Sequence, residues 1–160
     1  MSVHRLMHRT RVLVGLPPAT HLLLLESLAL LLWCRLLARW FPLRLYGRWL
    51  GELHAETPRH PAPPRAEAIR QIGWSVATAS AILPWRDKCL IEAMAAKLML
   101  RRRGAPTTLY IGAHRAPARG VIAHSWLRCG DQTVTGGDGI GYAVVASYAD
   151  LSRERKEVFG

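Results

Sequence analysis

From His21 to Leu37 apolar side chains fill nearly every position, broken early by Glu26 and closed by Arg35. A helix that is apolar on all sides must bury itself against protein or lipid. The segment is expected as such a helix, running to about Phe41, with Pro17-Pro18 at its start and Thr20 as its cap. The uninterrupted apolar stretch, Leu28 to Cys34, is far shorter than the roughly 20 residues a membrane span needs. No small-residue cleavage site follows, so a buried or membrane-surface helix is expected rather than a span or a signal. Pro42 permits a new turn, and Leu43 to Leu53 reads as a second short helix. Trp33, Trp40, Phe41, Tyr46 and Trp49 crowd this region, as core packing or a lipid-interface belt.

Residues 55–65 carry four prolines and little that is apolar, which marks a linker. Ala66 to Ile82 then places Ile69, Ile72, Val76 and Ala79 on one helical stripe. Pro84 breaks the chain and Asp87 is a candidate cap. The next helix runs to Arg103, with cations in its last turn and Gly104 just beyond. Its apolar residues leave little polar surface, so it is expected at the centre of the fold. After Pro106 the period changes to two. Strands are expected over Thr107 to Gly112, Val121 to Cys129 and Gln132 to Thr135, with Gly130-Asp131 as a hairpin turn and a last short strand from Tyr142 to Tyr148. Ser152 to Glu157 reads as an exposed helical end. The pattern predicts an α+β fold: a Leu-rich N-terminal helical lobe (1–54), the linker (55–65) and a core (66–160) with a central buried helix followed by strands.

The chain of 160 residues is long enough for one modest core. Lys and Arg number 22 against 11 Asp and Glu, a formal charge of +11. Such a surface attracts nucleic acid, anionic lipid or acidic peptides. No zinc-finger spacing or aromatic RNA-binding signature accompanies it, so no nucleic-acid partner is expected. Cys34, Cys89 and Cys129 are odd in number and lack a CxxC pair, which suits a reducing cytoplasm better than a disulfide framework. The apolar helix adds an expectation of peripheral contact with the inner face of a membrane.

Two residues stand out chemically. Cys89 lies at a helix start, where unpaired N–H groups and the helix dipole favour a thiolate; a small core hydrophobe is the alternative. His124 sits in Ile-Ala-His-Ser-Trp, with Ile122 and Trp126 on its own face of the strand. Acyl transfer by sulfur needs a base, and a third group should orient the imidazole. Asp138, near the end of the return strand, is the candidate; Asp131 lies in the turn. A zinc site from Cys89, Cys129, His114 and His124 would lack any CxxC or HxxxH pair, so no metal or other cofactor is expected.

The stretches CLIEAMAAKLMLRRRGAPTTLYIG and AHSWLRCGDQTVTGG resemble the leader peptidases of lasso-peptide biosynthesis, over residues 84 to about 137. The shared pattern is a cysteine opening a Leu/Ala-rich helix, an Arg-Arg-Gly exit, a proline, a short strand, then Ala-His-[Ala/Ser]-Trp and a hairpin. The resemblance implies a transglutaminase/papain-like core with Cys89 as nucleophile and His124 as base. Many relatives place an acid twelve residues after the histidine; Gly136 stands there, and Asp138 is displaced by two. Cys89 N–H would hold the oxyanion, with Trp85 or Trp126 as second donor or as walls. The implied partners are the precursor's leader peptide, a separate winged-helix leader-recognition protein and an asparagine-synthetase-like macrolactam synthetase. Two other readings stay open: a transglutaminase-like acyl transferase using the same pair, and a non-enzymatic basic protein of the membrane surface.

Overall fold

A computed structural model describes residues 17–59, 66–85, 87–117 and 120–151. The expected segments 1–16 and 152–160 lie outside these, as does part of the Pro-rich linker. Helix α1 (Pro18–Trp40) starts on Pro17 rather than Thr20, which lies within its first turn. Proline at the first helical position loses nothing, because its missing N–H would have had no partner. Helix α2 (Leu43–Leu50) stops at Gly51, whose φ of 123° turns the chain out of the helix. Glu52 and Leu53, expected as its last turn, instead form the short strand β1 (Glu52–Leu53).

Helix α3 (Ala66–Ala81) buries Ile69, Ile72, Val76 and Ala79, the stripe its sequence marked out. Helix α4 (Cys89–Arg102) has Lys88, not Asp87, at its N-cap position, and no side chain caps it. Lys88 turns back instead: its Nζ donates to the Ser80 and Leu83 carbonyls at the end of α3. Ser80 Oγ donates to Glu92 in the first turn of α4. These bonds set the corner that delivers Cys89.

The strands are β2 (Thr108–Ala116), β3 (Gly120–Cys129), β4 (Gln132–Thr135) and β5 (Ala143–Ala149). They form one antiparallel sheet with β1, in the order β1-β5-β2-β3-β4. Strand β2 continues past Gly112 to Ala116, because β3 pairs with it as far as Ala116↔Gly120. Backbone pairing carries it beyond the point where its apolar pattern ends.

Helices α3 and α4 lie on one face of the sheet, and α1 packs on those two helices. The core between them joins Leu31 and Cys34 of α1 and the α3 stripe to Met94, Met99 and Leu100 of α4 and to Leu109, Leu127, Cys129 and Tyr148 of the sheet. Ala93, Ala95 and Ala96 are fully buried, so α4 is the central helix the sequence predicted. Lys97 is also fully buried there, bonded to Thr107, the Tyr148 carbonyl and Asp150. The outcome is the expected α+β fold.

Candidate active site

Cys89 is the first residue of α4 and is half-buried. Cys34, by contrast, is sealed in the core, and burial pushes its thiol up to about 12, out of reach of ordinary nucleophilic chemistry. Cys129 is buried too, its thiol donating to the Pro106 carbonyl. All three cysteines are free. Cys89 alone combines partial exposure with a helix start, the setting in which a thiolate meets free backbone N–H groups.

His124 projects from β3. Alternation along this strand puts Leu127 and Cys129 towards the helices and His124, Trp126 and Arg128 on the other face. Tyr110, paired with Trp126, stacks on it at 5.2 Å. The imidazole lies 6.1 Å from the Trp126 ring and 5.0 Å from that of Tyr142. Its Nε2 is 2.6 Å from the carbonyl oxygen of Gly136. A carbonyl only accepts, so Nε2 carries the proton and donates. In the neutral ring this leaves the lone pair on Nδ1, the form a general base requires.

The sheet order explains why Gly136 is there. Strand β4 sits at the edge beside β3, whereas β5 lies beyond β2. The connection through residues 136–142 therefore has to cross β3 and β2. It crosses on the His124 face, as close approaches of Gly139 to Trp126 and of Tyr142 to Gly112 show. Gly136 has φ 79°, and a Cβ on it would meet the Ser125 carbonyl at 2.3 Å. At Gly139, φ 71°, a Cβ would strike the Trp126 indole at 2.5 Å. Only glycine accepts both the backbone angle and the contact, and the result is a carbonyl aimed at the imidazole.

Strand β4 pairs with β3 only over Leu127 to Cys129. From Val121 to Trp126 β3 has no strand partner on its β4 side among the described residues, although Gly136 packs against Ser125 and Trp126 there, and His124 lies on that stretch.

Asp138 is exposed, and its Oδ1 accepts the Ile140 N–H at 3.1 Å, closing a turn of its own loop. The hydrogen bond on the imidazole belongs to Gly136. Trp126 is buried and flanks His124 as a wall. Trp85 packs against the core with the Arg35 guanidinium 5.4 Å from its ring, which places it beside α1. Among the described residues no group of three or more His, Cys, Asp or Glu gathers to hold a metal. His114, a member of the zinc alternative, bonds the Gly141 carbonyl at 3.0 Å.

Two features of the platform carry little signal in the sequence. Tyr142 carries no motif of its own; its place over His124 follows only from the loop crossing. Arg128 is buried beneath the segment that follows β1, with bonds to the Thr57 and Gly130 carbonyls and to Tyr110 Oη. An arginine amid apolar strand residues, two positions beyond Trp126, was the available signal: a charge on a packed face needs partners.

The structure sets Cys89 at the start of the central helix on one face of the sheet and His124 on the other, and among the described residues no hydrogen bond joins the two. Residues 26–152 match the family model of the Transglutaminase-like superfamily, and the chain belongs to that superfamily. Among curated proteins and among solved structures, none matches the chain.

Proposed function

We propose that this protein is a cysteine peptidase that removes the leader from a lasso-peptide precursor, with Cys89 as nucleophile and His124 as base and acid. The observation that carries the reading is the Nε2 bond of His124 to the Gly136 carbonyl, twelve residues on, where relatives of the resembled type often carry an acid. It fixes the imidazole with Nδ1 free. Superfamily membership and the helix-start position of Cys89 support the same roles.

In this reading the Cys89 thiolate attacks the scissile carbonyl, forming a C–S bond. The His124 imidazolium gives its Nδ1 proton to the departing amine as the C–N bond breaks. Neutral Nδ1 then takes a proton from water, whose oxygen attacks the thioester; the C–S bond breaks, the acid product leaves and the thiolate–imidazolium pair is restored. The Cys89 backbone N–H at the start of α4 holds the oxyanion with one further donor. Trp126 walls the imidazole, and the Gly136 carbonyl takes the orienting role that Asp138 was expected to fill. Cys89 lies with α4 on one face of the sheet and His124 projects from the other, so this reading requires the two side chains to meet around the edge of β3.

The leader would be presented by a separate winged-helix recognition protein, and the product consumed by an asparagine-synthetase-like macrolactam synthetase, in the cytoplasm. The test is mass spectrometry of a cognate precursor mixed with recognition protein and either wild type or Cys89→Ala. A leader hydrolysed by wild type alone is the expected result. An amine-linked product would move the assignment to acyl transfer, and an intact precursor with both proteins would overturn it.

A further inference from the structure

Helix α1 has two apolar sides, and among the described residues only one packs into the core. Its inner side places Leu31 and Cys34 in the core, and Ser27 Oγ lies 2.9 Å from Ser75 Oγ of α3. Glu26 pairs with Arg103 at 2.6 Å and with Arg102 at 3.2 Å, both at the end of α4. The outer side exposes Leu22, Leu25, Leu32, Trp33, Leu36 and Trp40. At 3.6 residues per turn these fall in one stripe about 100° wide. No charged residue interrupts it. Phe41, just after α1, and Leu45 and Trp49 of α2 are exposed too.

The apolar stripe has a basic rim. Arg39 closes α1, and Arg44 and Arg48 lie exposed on α2. Among the described residues none of the three is paired with a carboxylate, whereas Arg59, Arg70, Arg101, Arg102, Arg103 and Arg128 all are. Arg44 and Arg48 also line a groove of about 660 Å³ with Leu43, Gly47, Leu53 and Tyr148, next to Glu52.

We infer that the outer face of α1 and α2 seats the protein on an anionic lipid bilayer, lying in the interface rather than crossing it. By length and composition α1 could cross: its most apolar window has mean hydropathy 1.7, and only 17 % of that window is buried. The inner side forbids crossing, because Glu26, Ser27 and Cys34 are committed to α3, α4 and the core. What remains is a one-sided apolar stripe with tryptophans clustered towards its arginine-bearing end. Aromatic rings suit the headgroup level, and unpaired guanidiniums suit lipid phosphates. The same helix thus buries one apolar face in protein and offers the other to lipid.

The inference is independent of Cys89 and is read by partition, not cleavage. The full chain is sedimented with vesicles of phosphatidylcholine alone and of phosphatidylcholine mixed with phosphatidylglycerol. Wild type is expected to pellet with the anionic vesicles and weakly with the neutral ones. Trp40→Ser with Trp49→Ser, both at exposed positions, should weaken partition roughly tenfold. Arg44→Glu with Arg48→Glu should weaken it by a similar factor at low salt, and less at high salt. Circular dichroism checks that each variant is folded. Wild type left in the supernatant with anionic vesicles would overturn the inference. So would unchanged partition of both folded double variants, or a stable dimer in solution that the tryptophan substitutions dissolve.

Discussion

At its C-terminal half α4 is tied down on all sides. Lys97 donates to four acceptors in the core, Arg101 joins it on Asp150, and Arg103 reaches Glu26 across α1. At its N-terminus the same helix has no side-chain cap, and Cys89 is left half-buried. Its start is set by neighbours only: Lys88 on the α3 carbonyls and Glu92 on Ser80. Across the sheet His124 has the same economy, one bond to Gly136 and a second nitrogen left over. Polar groups are thus satisfied where the fold needs anchoring and left with spare capacity where a reaction needs it.

The largest effect expected from breaking this contrast is on the reactive end. His124→Ala should reduce leader cleavage by roughly 10² to 10⁴-fold, with melting unchanged. It should also slow alkylation of Cys89 by iodoacetamide, followed by mass spectrometry. Equal alkylation rates in wild type and variant would dissolve the pair.

The anchored end should respond in stability. Asp150→Asn leaves Lys97 buried without its counter-ion and should cost about 3 kcal/mol at pH 7, read by urea unfolding. Burial draws the Lys97 ammonium down from 10.5 to about 8, against the support of Asp150. Between those values the unfolded chain holds the proton and the folded one does not. On account of Lys97, wild-type stability therefore rises from about pH 8 towards 10.5. In Asp150→Asn the rise should begin at lower pH, since the group that favoured the charged form is gone.

Gly136→Ala should cost about 2 kcal/mol through its φ of 79° and the Ser125 carbonyl 2.3 Å from the new Cβ. It should also lower cleavage by turning the carbonyl away from His124; full activity would show that the bond does not orient the ring. The smallest effect belongs to Glu26→Gln, about 0.5–1 kcal/mol, because its partners are largely solvated. The Arg103 hydrogen bond holds the Glu26 carboxyl below the usual carboxylate range. Its contribution is present above the ordinary carboxylate pKa and lost as pH falls through the lowered one, so acid titration of the melting temperature should separate variant from wild type only above that range.

Much of this layout was legible in the sequence. The α3 stripe, the central α4, the period-two strands and the Gly130-Asp131 hairpin follow from spacing and turn chemistry, which are local. Strand β1 did not follow, since two residues pair with Ala149 and Tyr148 for reasons set far along the chain. The placement of β5 between β1 and β2 was equally hidden, and with it the crossing of residues 136–142 that brings Tyr142 and Gly136 to His124. Asp138 stood out because acids can be read from a sequence; the direction of a carbonyl cannot. Helix α1 was read as apolar all round, and its division into a packed side and an open side depended on the position of α3 and α4.

The hold on His124 has no side chain. An alanine scan of every acid, amide and hydroxyl around the ring would return no orienting residue, and the imidazole would look self-sufficient. Chemical replacement of the Gly136–Gly137 amide by an ester, which weakens the carbonyl as an acceptor while keeping its shape, is the substitution to which this contact is visible.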